Sequence, residues 1–127
     1  HGGFTTGTPW LPVKAPQAAL HVAGQAGKPG SVLEFYRAML AHRCQTPSLL
    51  AGRTRFLDLA EPVLGFLRGD DLACLFNLSP DPVTLTVQGR LADAPAQAAT
   101  ISGRTLTLGP NGFCHLSPAG GKLSVTN

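Results

Sequence analysis

From Gly52 onward the sequence carries no helical apolar period, only short apolar runs cut by turn residues, and such a chain closes as antiparallel β structure. Val63-Leu64-Gly65-Phe66-Leu67-Arg68 and Leu72-Ala73-Cys74-Leu75-Phe76-Asn77 flank Gly69-Asp70-Asp71, which predicts a hairpin with a three-residue loop. Pro80-Asp81-Pro82 is a rigid turn. Val83-Thr84-Leu85-Thr86-Val87 then alternates apolar residues with Thr, as a strand buried on one face does, and Leu106-Thr107-Leu108 repeats the alternation. Gly109-Pro110-Asn111-Gly112 predicts a turn into Phe113-Cys114-His115-Leu116, and residues 119–127 form either a last edge strand or a loose tail. The expected fold class is mainly β, a small antiparallel β-sandwich over residues 53–118.

One segment breaks this pattern. Ser31 and Glu34 stand three apart, the spacing of a capping box, and Val32, Phe35, Tyr36, Met39, Leu40 and Arg43 recur at helical spacing. The pattern predicts an amphipathic helix to about Gln45, stopped by Pro47, with residues 31–52 as helix and connection. Its apolar stripe needs a surface to bury against. Residues 1–30 are a loop-rich lead in which Gly2 to Val13 carries neither a 3.6 nor a 2.0 period, although Ala18 to Ala23 reads as strand-like. A loop this long, with no initiator Met ahead of it, leads us to expect an excerpt of a longer protein that supports the lead.

The charged fraction is 13%, against about 25% in ordinary soluble domains, so charge is too scarce to cover the whole surface. Two readings fit: one face packs against another domain or chain, or the domain is Ala- and Gly-rich with a bland surface. The net charge of +3 comes from ten basic residues scattered from Lys14 to Lys122, with no run and no interleaved aromatics, which argues against a nucleic-acid partner. No apolar stretch is long enough for a membrane span. Cys44, Cys74 and Cys114 form no C-x-x-C pair. Cys74 and Cys114 lie in apolar runs as small buried hydrophobes, which suits a reducing, cytoplasmic location.

Catalytic signals are thin. Gly24 to Gly30 followed by a capped helix imitates a phosphate-binding loop, but Pro29 follows Lys28 where the motif needs Ser or Thr, so the segment is read as a connection. No H-E-x-x-H or G-x-S-x-G occurs, and His21, His42 and His115 are isolated, His115 being read as a sheet histidine. The seven acidic residues lie in the cap (Glu34), in turns (Asp70, Asp71, Asp81) or beside strands and loops (Asp58, Glu61, Asp93), with no spacing that suggests an acid/base pair. No catalytic residue, metal site or cofactor is therefore expected. Phe4 and Trp10, isolated among Gly and Pro, either stack on a sugar ring or anchor the lead.

The order of these pieces carries a resemblance. Gly3 to Val13 with its Phe-Thr-Thr-Gly-Thr-Pro-Trp-Leu-Pro-Val, His21-Val22-Ala23-x-Gln25, Pro29-x-Ser31-Val32-Leu33-x-Phe35-Tyr36-Arg37, Arg43, Pro47 and Leu49 resemble the C-terminal part of α-glucosidases of glycoside hydrolase family 13, in the α-amylase superfamily. Val63 to Arg68, Asn77-Leu78-Ser79 and Leu108-x-Pro110-x-Gly112-Phe113 are similar to strands of that family's C-terminal β domain.

The resemblance implies a layout. The lead would be the loop after the eighth strand of a (β/α)8 barrel, the helix from Ser31 the last barrel helix, and the strands a sandwich docked beside it. It also implies hydrolysis of short α-glucosides with retention, by carboxylates that lie upstream and are absent from this chain, with the catalytic barrel as partner. Isomerising and transglycosylating members share the layout. The alternative is a stand-alone β-sandwich, structural or carbohydrate-binding, without catalysis. A third reading is a processed fragment that pairs with a separate catalytic chain.

Overall fold

The computed structural model describes Gly3 and residues 5–127, which divide into two compact units at the boundary between residues 40 and 41. In the first unit helices α1 (Ala15–Ala19) and α2 (Val22–Gln25) precede α3 (Val32–Gln45), which runs on into the second. There follow α4 (Pro47–Ala51), β1 (Thr54–Phe56), β2 (Val63–Arg68), β3 (Leu72–Asn77), β4 (Val83–Gln88), β5 (Arg90–Leu91), β6 (Gln97–Ser102), β7 (Thr105–Ser117) and β8 (Ser124–Thr126). The named strand pairs are all antiparallel.

The β2–β3 hairpin forms in the expected register, from Val63 opposite Asn77 to Arg68 opposite Leu72. Gly69 takes φ +61° in its loop, a conformation that costs Gly little and other residues more. In mid-strand, a Cβ on Gly65 would lie 2.6 Å from Leu59 Cδ1 and 3.0 Å from Leu75 Cδ2, so the missing side chain lets the segment before β2 close over the strand. The tail ends as an edge strand, β8, with Val125 opposite Val87 of β4.

The predicted turn at residues 109–112 is instead a bend inside one continuous strand. Before the bend β7 lies between β4 and β6, with Leu106 opposite both Leu85 and Ile101. After it, Leu116 pairs with Ala73 of β3 on one side and Leu91 of β5 on the other. The strand order is therefore β1-β2-β3-β7-β4-β8, with β7 common to both halves. Leu67, Ala73 and Leu75 from one half and Leu85, Val87 and Val125 from the other join Leu106, Leu108, Cys114 and Leu116 of β7 in one core. A sheet whose two halves share a core has folded onto itself, and the result is the antiparallel sandwich expected from the sequence.

Local chemistry makes the bend. Asn111 sits at φ +50°, which Asn tolerates better than most residues, and a Cβ on Gly112 would press to 2.9 Å from the Gly109 carbonyl oxygen. Opposite it, β6 bulges at Ala98, which has φ +48°, and the register slips between Gln97 and Ala99.

Asn77 latches this bend to the turn that follows β3. Its buried Nδ2 donates to Asp81 O at 2.7 Å and Gly109 O at 2.9 Å, while its Oδ1 accepts from Ser79 N at 3.0 Å and Ser79 Oγ at 2.9 Å. Asn111 N in turn donates to Ser79 O at 2.9 Å. Both amide protons and the carbonyl oxygen are used, so a buried polar group is held without an unmet bond.

Two local expectations are corrected. Ala18 to Ala23 is no strand: it spans the end of α1 and the start of α2, with Leu20 and His21 between them. Ala is the best helix former, Pro16 opens α1 where its missing N–H costs nothing, Lys14 N donates to Gln17 Oε1 at 3.2 Å, and Gly24 N donates to His21 Nδ1 at 3.0 Å. Pro47 does end α3 but also starts α4, for the same reason.

Replacing Asn77 by Ala strands two carbonyls and is expected to cost about 3 kcal/mol, against about 1 kcal/mol for Ser79→Ala. Urea midpoints at unchanged m-value check this.

Candidate functional site

In the first unit, polar side chains hold the lead and the start of α3 in place. Glu34 N donates to Ser31 Oγ at 3.3 Å, the first half of the expected capping box. The reciprocal half is replaced: Glu34 Oε1 accepts from Gly27 N at 2.9 Å and from Arg37 Nη1 at 2.8 Å, while Ser31 N donates to Lys28 O. The amide that a bound phosphate would use at Gly27 thus already holds a carboxylate, which fits the loop being a connection. Gln25 is the hub of this corner. Its Oε1 accepts from Leu33 N at 3.1 Å, its Nε2 donates to Leu20 O, and its main-chain oxygen accepts from Ser31 Oγ at 3.0 Å. Sequence spacing gave no signal for this hub beyond the resemblance.

Beside it lies a shallow apolar groove of about 370 Å³ lined by Val22, Val32, Leu33, Tyr36 and Leu40. Helix α3 buries none of its residues, with Val32 69% and Tyr36 64% exposed, so its stripe is uncovered. Of the two predicted site residues, Phe4 lies outside the described residues. Trp10 is 91% exposed, next to Leu11 at 64%, so its ring is not packed as an anchor into the described chain.

The second unit carries a file of rings on the sheet face opposite the core. Phe56 meets Phe66 at 5.9 Å, Phe66 meets Phe76 at 5.9 Å, Phe76 meets Phe113 at 6.0 Å, and Phe113 meets His115 at 6.4 Å between centroids. Strand alternation produces the file, since Gly65, Leu67, Ala73, Leu75, Cys114 and Leu116 take the core face. His115 is buried, whereas Phe56 at the far end is 69% exposed. His42 of α3 closes the buried end, its ring 5.1 Å from that of His115. The two histidines are far apart in sequence, and no spacing could have joined them.

The titratable groups under this face are unreactive by placement. Burial pushes the Cys114 thiol up to about 12, helped by Cys74 nearby. Burial pushes Cys74 up to about 11, partly offset by Arg68. Burial pushes His115 down to about 4, reinforced by His42. Among the described residues no group of three or more His, Cys, Asp or Glu side chains could hold a metal, and no helix is long and apolar enough to cross a membrane.

No protein-family profile matches the chain. Individual proteins do. It is 42% identical over 86 residues to a probable α-glucosidase of Rhizobium meliloti, covering 65% of this chain and 16% of that protein. It is 29% identical over 94 residues to a glucan 1,6-α-glucosidase of Streptococcus pneumoniae, covering 72% of this chain and 18% of that one. Among solved structures, the α-glucosyl transfer enzyme XgtA superposes on 92% of this chain and 23% of its own, with a TM-score of 0.80 at 35% identity. The trehalulose synthase of Pseudomonas mesoacidophila superposes on 91% of this chain with a TM-score of 0.72 at 28% identity. The chain matches one segment of α-glucosidases and glucosyl-transfer enzymes, consistent with glycoside hydrolase family 13.

It spans only about a sixth of the length of these curated proteins. Of the three β stretches that carried the resemblance, Asn77-Leu78-Ser79 and Leu108 to Phe113 meet in space at the Asn77 latch.

A thiol reagent at pH 7.5 is expected to label the exposed Cys44 within minutes and to reach Cys74 and Cys114 only after denaturation. Labelling of more than one thiol in the native chain contradicts the burial described.

Proposed function

We propose that this chain is the C-terminal segment of an α-glucosidase that hydrolyses short α-glucosides with retention of configuration. The observation that carries this reading is the 42% identity to the Rhizobium meliloti protein, which is named a probable α-glucosidase. The catalytic carboxylates would lie upstream, and no residue of this chain takes a catalytic role. Glu34 is committed to Gly27 N and Arg37, and Asp71 accepts from Ser48 Oγ, which supports that assignment.

In this reading residues 1–30 form the loop after the eighth barrel strand, residues 31–52 the last barrel helix and its connection, residues 53–118 the sandwich domain and residues 119–127 its edge strand. Phe4 and Trp10 wall a sugar subsite, where flat rings stack on a pyranose face. The remainder of the enzyme is the partner, and it covers the stripe of α3. The uncovered Val32, Tyr36 and Leu40 support this over a self-sufficient sandwich module, whose apolar faces are covered by its own chain. The scattered basic residues support neither a nucleic-acid nor a membrane partner. A second reading, glucosyl transfer or isomerisation, is favoured by the names of the superposed structures and differs only in what accepts the glucosyl group.

The test is kinetic. The protein with its upstream barrel is expected to release glucose of retained anomeric configuration from p-nitrophenyl α-glucoside and isomaltose, while the 127-residue chain alone releases none. Trp10→Ala in the longer protein is expected to raise KM about tenfold with a smaller change in kcat, the loss of one stacking contact. A Trp10→Ala enzyme with unchanged KM removes Trp10 from the subsite, and transfer products in place of glucose select the second reading. Expressed alone, the chain is expected to self-associate through α3, and Val32→Lys with Tyr36→Lys to restore a monomer in sedimentation. A parent chain that is monomeric and cooperative favours the stand-alone module.

A further inference from the structure

The contact between His42 and His115 has a chemistry the proposed activity does not use. The two rings lie 5.1 Å apart at 30°, one on the last turn of α3 and the other on β7. Thr46 Oγ1 donates to His42 O at 2.8 Å, so it is left to accept from His42 Nδ1, 3.3 Å away. That places the ring hydrogen of His42 on Nδ1 and leaves Nε2 a bare acceptor. Nε2 of His42 and Nδ1 of His115 are both buried without a hydrogen-bond partner. Two buried polar atoms left unmet are rare, and they cost least while the rings stay uncharged.

The surroundings do not favour a cation. Cys74 faces His115 across the β3 ladder, and Arg68 of β2 acts on Cys74. Arg43 Nη1 of α3 and Arg68 Nη2 both donate to Leu49 O in α4. On the β5 side Ala92 N donates to His115 O, and Asp71, beside α4, is held by Ser48 Oγ. Among the described residues the one ion pair joins Arg37 to Glu34, and neither imidazole has a carboxylate partner.

We propose that the His42–His115 contact is an acid-sensitive joint: it keeps the last turn of α3 on the sheet while His115 is neutral and lets that turn go when His115 takes up a proton. The buried state of His115 resists protonation down to about 4, against 6.5 for a free imidazole. The released state therefore binds more protons between those values, and release grows as pH falls from 6.5 and levels off near 4. The core around Leu75 and Leu116 holds no such pair and stays closed.

Amide hydrogen exchange on the full chain, corrected for the intrinsic rate, tests this at pH 7.5 and pH 4.5. One-proton linkage predicts that protection of residues 41–45 falls roughly 70-fold while the amides of Leu75 and Leu116 fall far less. The double variant His42→Phe and His115→Phe keeps two packed rings without nitrogens and is expected to hold its protection at pH 4.5. A double variant that loses protection as fully as the parent overturns the proposal, as does a parent in which helix turn and sheet open together. A second readout on the parent needs no substitution: titration of the His115 ring by NMR is expected to share its midpoint with shifts at the amides of residues 41–45. A His115 titration that leaves those amides unmoved also overturns the joint.

Discussion

One strand serves both layers of this sandwich, and where that strand bends decides where every other strand lies. Residues before the bend in β7 pair with β4 and β6, and residues after it with β3 and β5. The bend needs Asn111 in a left-handed conformation, a Gly at 112, a bulge at Ala98 and an amide at Asn77 that bonds to both sides. None of these makes a large contribution alone. Together they fix the angle at which Leu106 and Leu108 on one side of the bend meet Cys114 and Leu116 on the other, and so fix the core. A buried polar network that is fully satisfied selects one arrangement, where apolar packing alone would accept several.

With the core complete, the remaining apolar surface stands out. The file from Phe56 to Phe113 runs along the face opposite the core, covered at the His42 end and open at Phe56. In the first unit, α3 buries nothing and its groove is lined mostly by apolar side chains, together with Gln25 and Arg37. A chain with 13% charged residues has little polar surface to spare, and the structure shows where the apolar excess lies. Likeness to curated proteins about four times longer supplies a reason for such surface, and the proposed catalytic barrel is the body that would use it.

Much of the sandwich was legible because strand alternation is local. The β2–β3 hairpin and the start of β4 lie where period and turn residues put them, and α3 lies where its cap and stripe put it. What was missed depends on partners distant in sequence. Gly109 to Gly112 has the composition of a turn, and only the amides and carbonyls contributed by β3 and β6 make it a bend within a strand. Ala18 to Ala23 was misread because a short apolar run has no period of its own, and side-chain caps from Gln17 and His21 decided it. The pairing of His42 with His115 had no sequence signal at all. The lead gave its aromatic candidates by type alone: Trp10 is exposed as a binding residue can be, and Phe4 lies outside the described residues.

In the proposed enzyme the apolar surfaces left open here are interior surfaces. Hydroxyl-radical footprinting measures that directly, by comparing oxidation of Trp10, Tyr36, Phe56 and Phe66 in the chain alone and in a protein that joins it to the proposed upstream barrel. Tyr36, Phe56 and Phe66 are expected to fall severalfold in reactivity in the longer protein, while Trp10 is protected chiefly when an α-glucoside is bound. Equal oxidation of all four residues in both proteins would contradict that expectation.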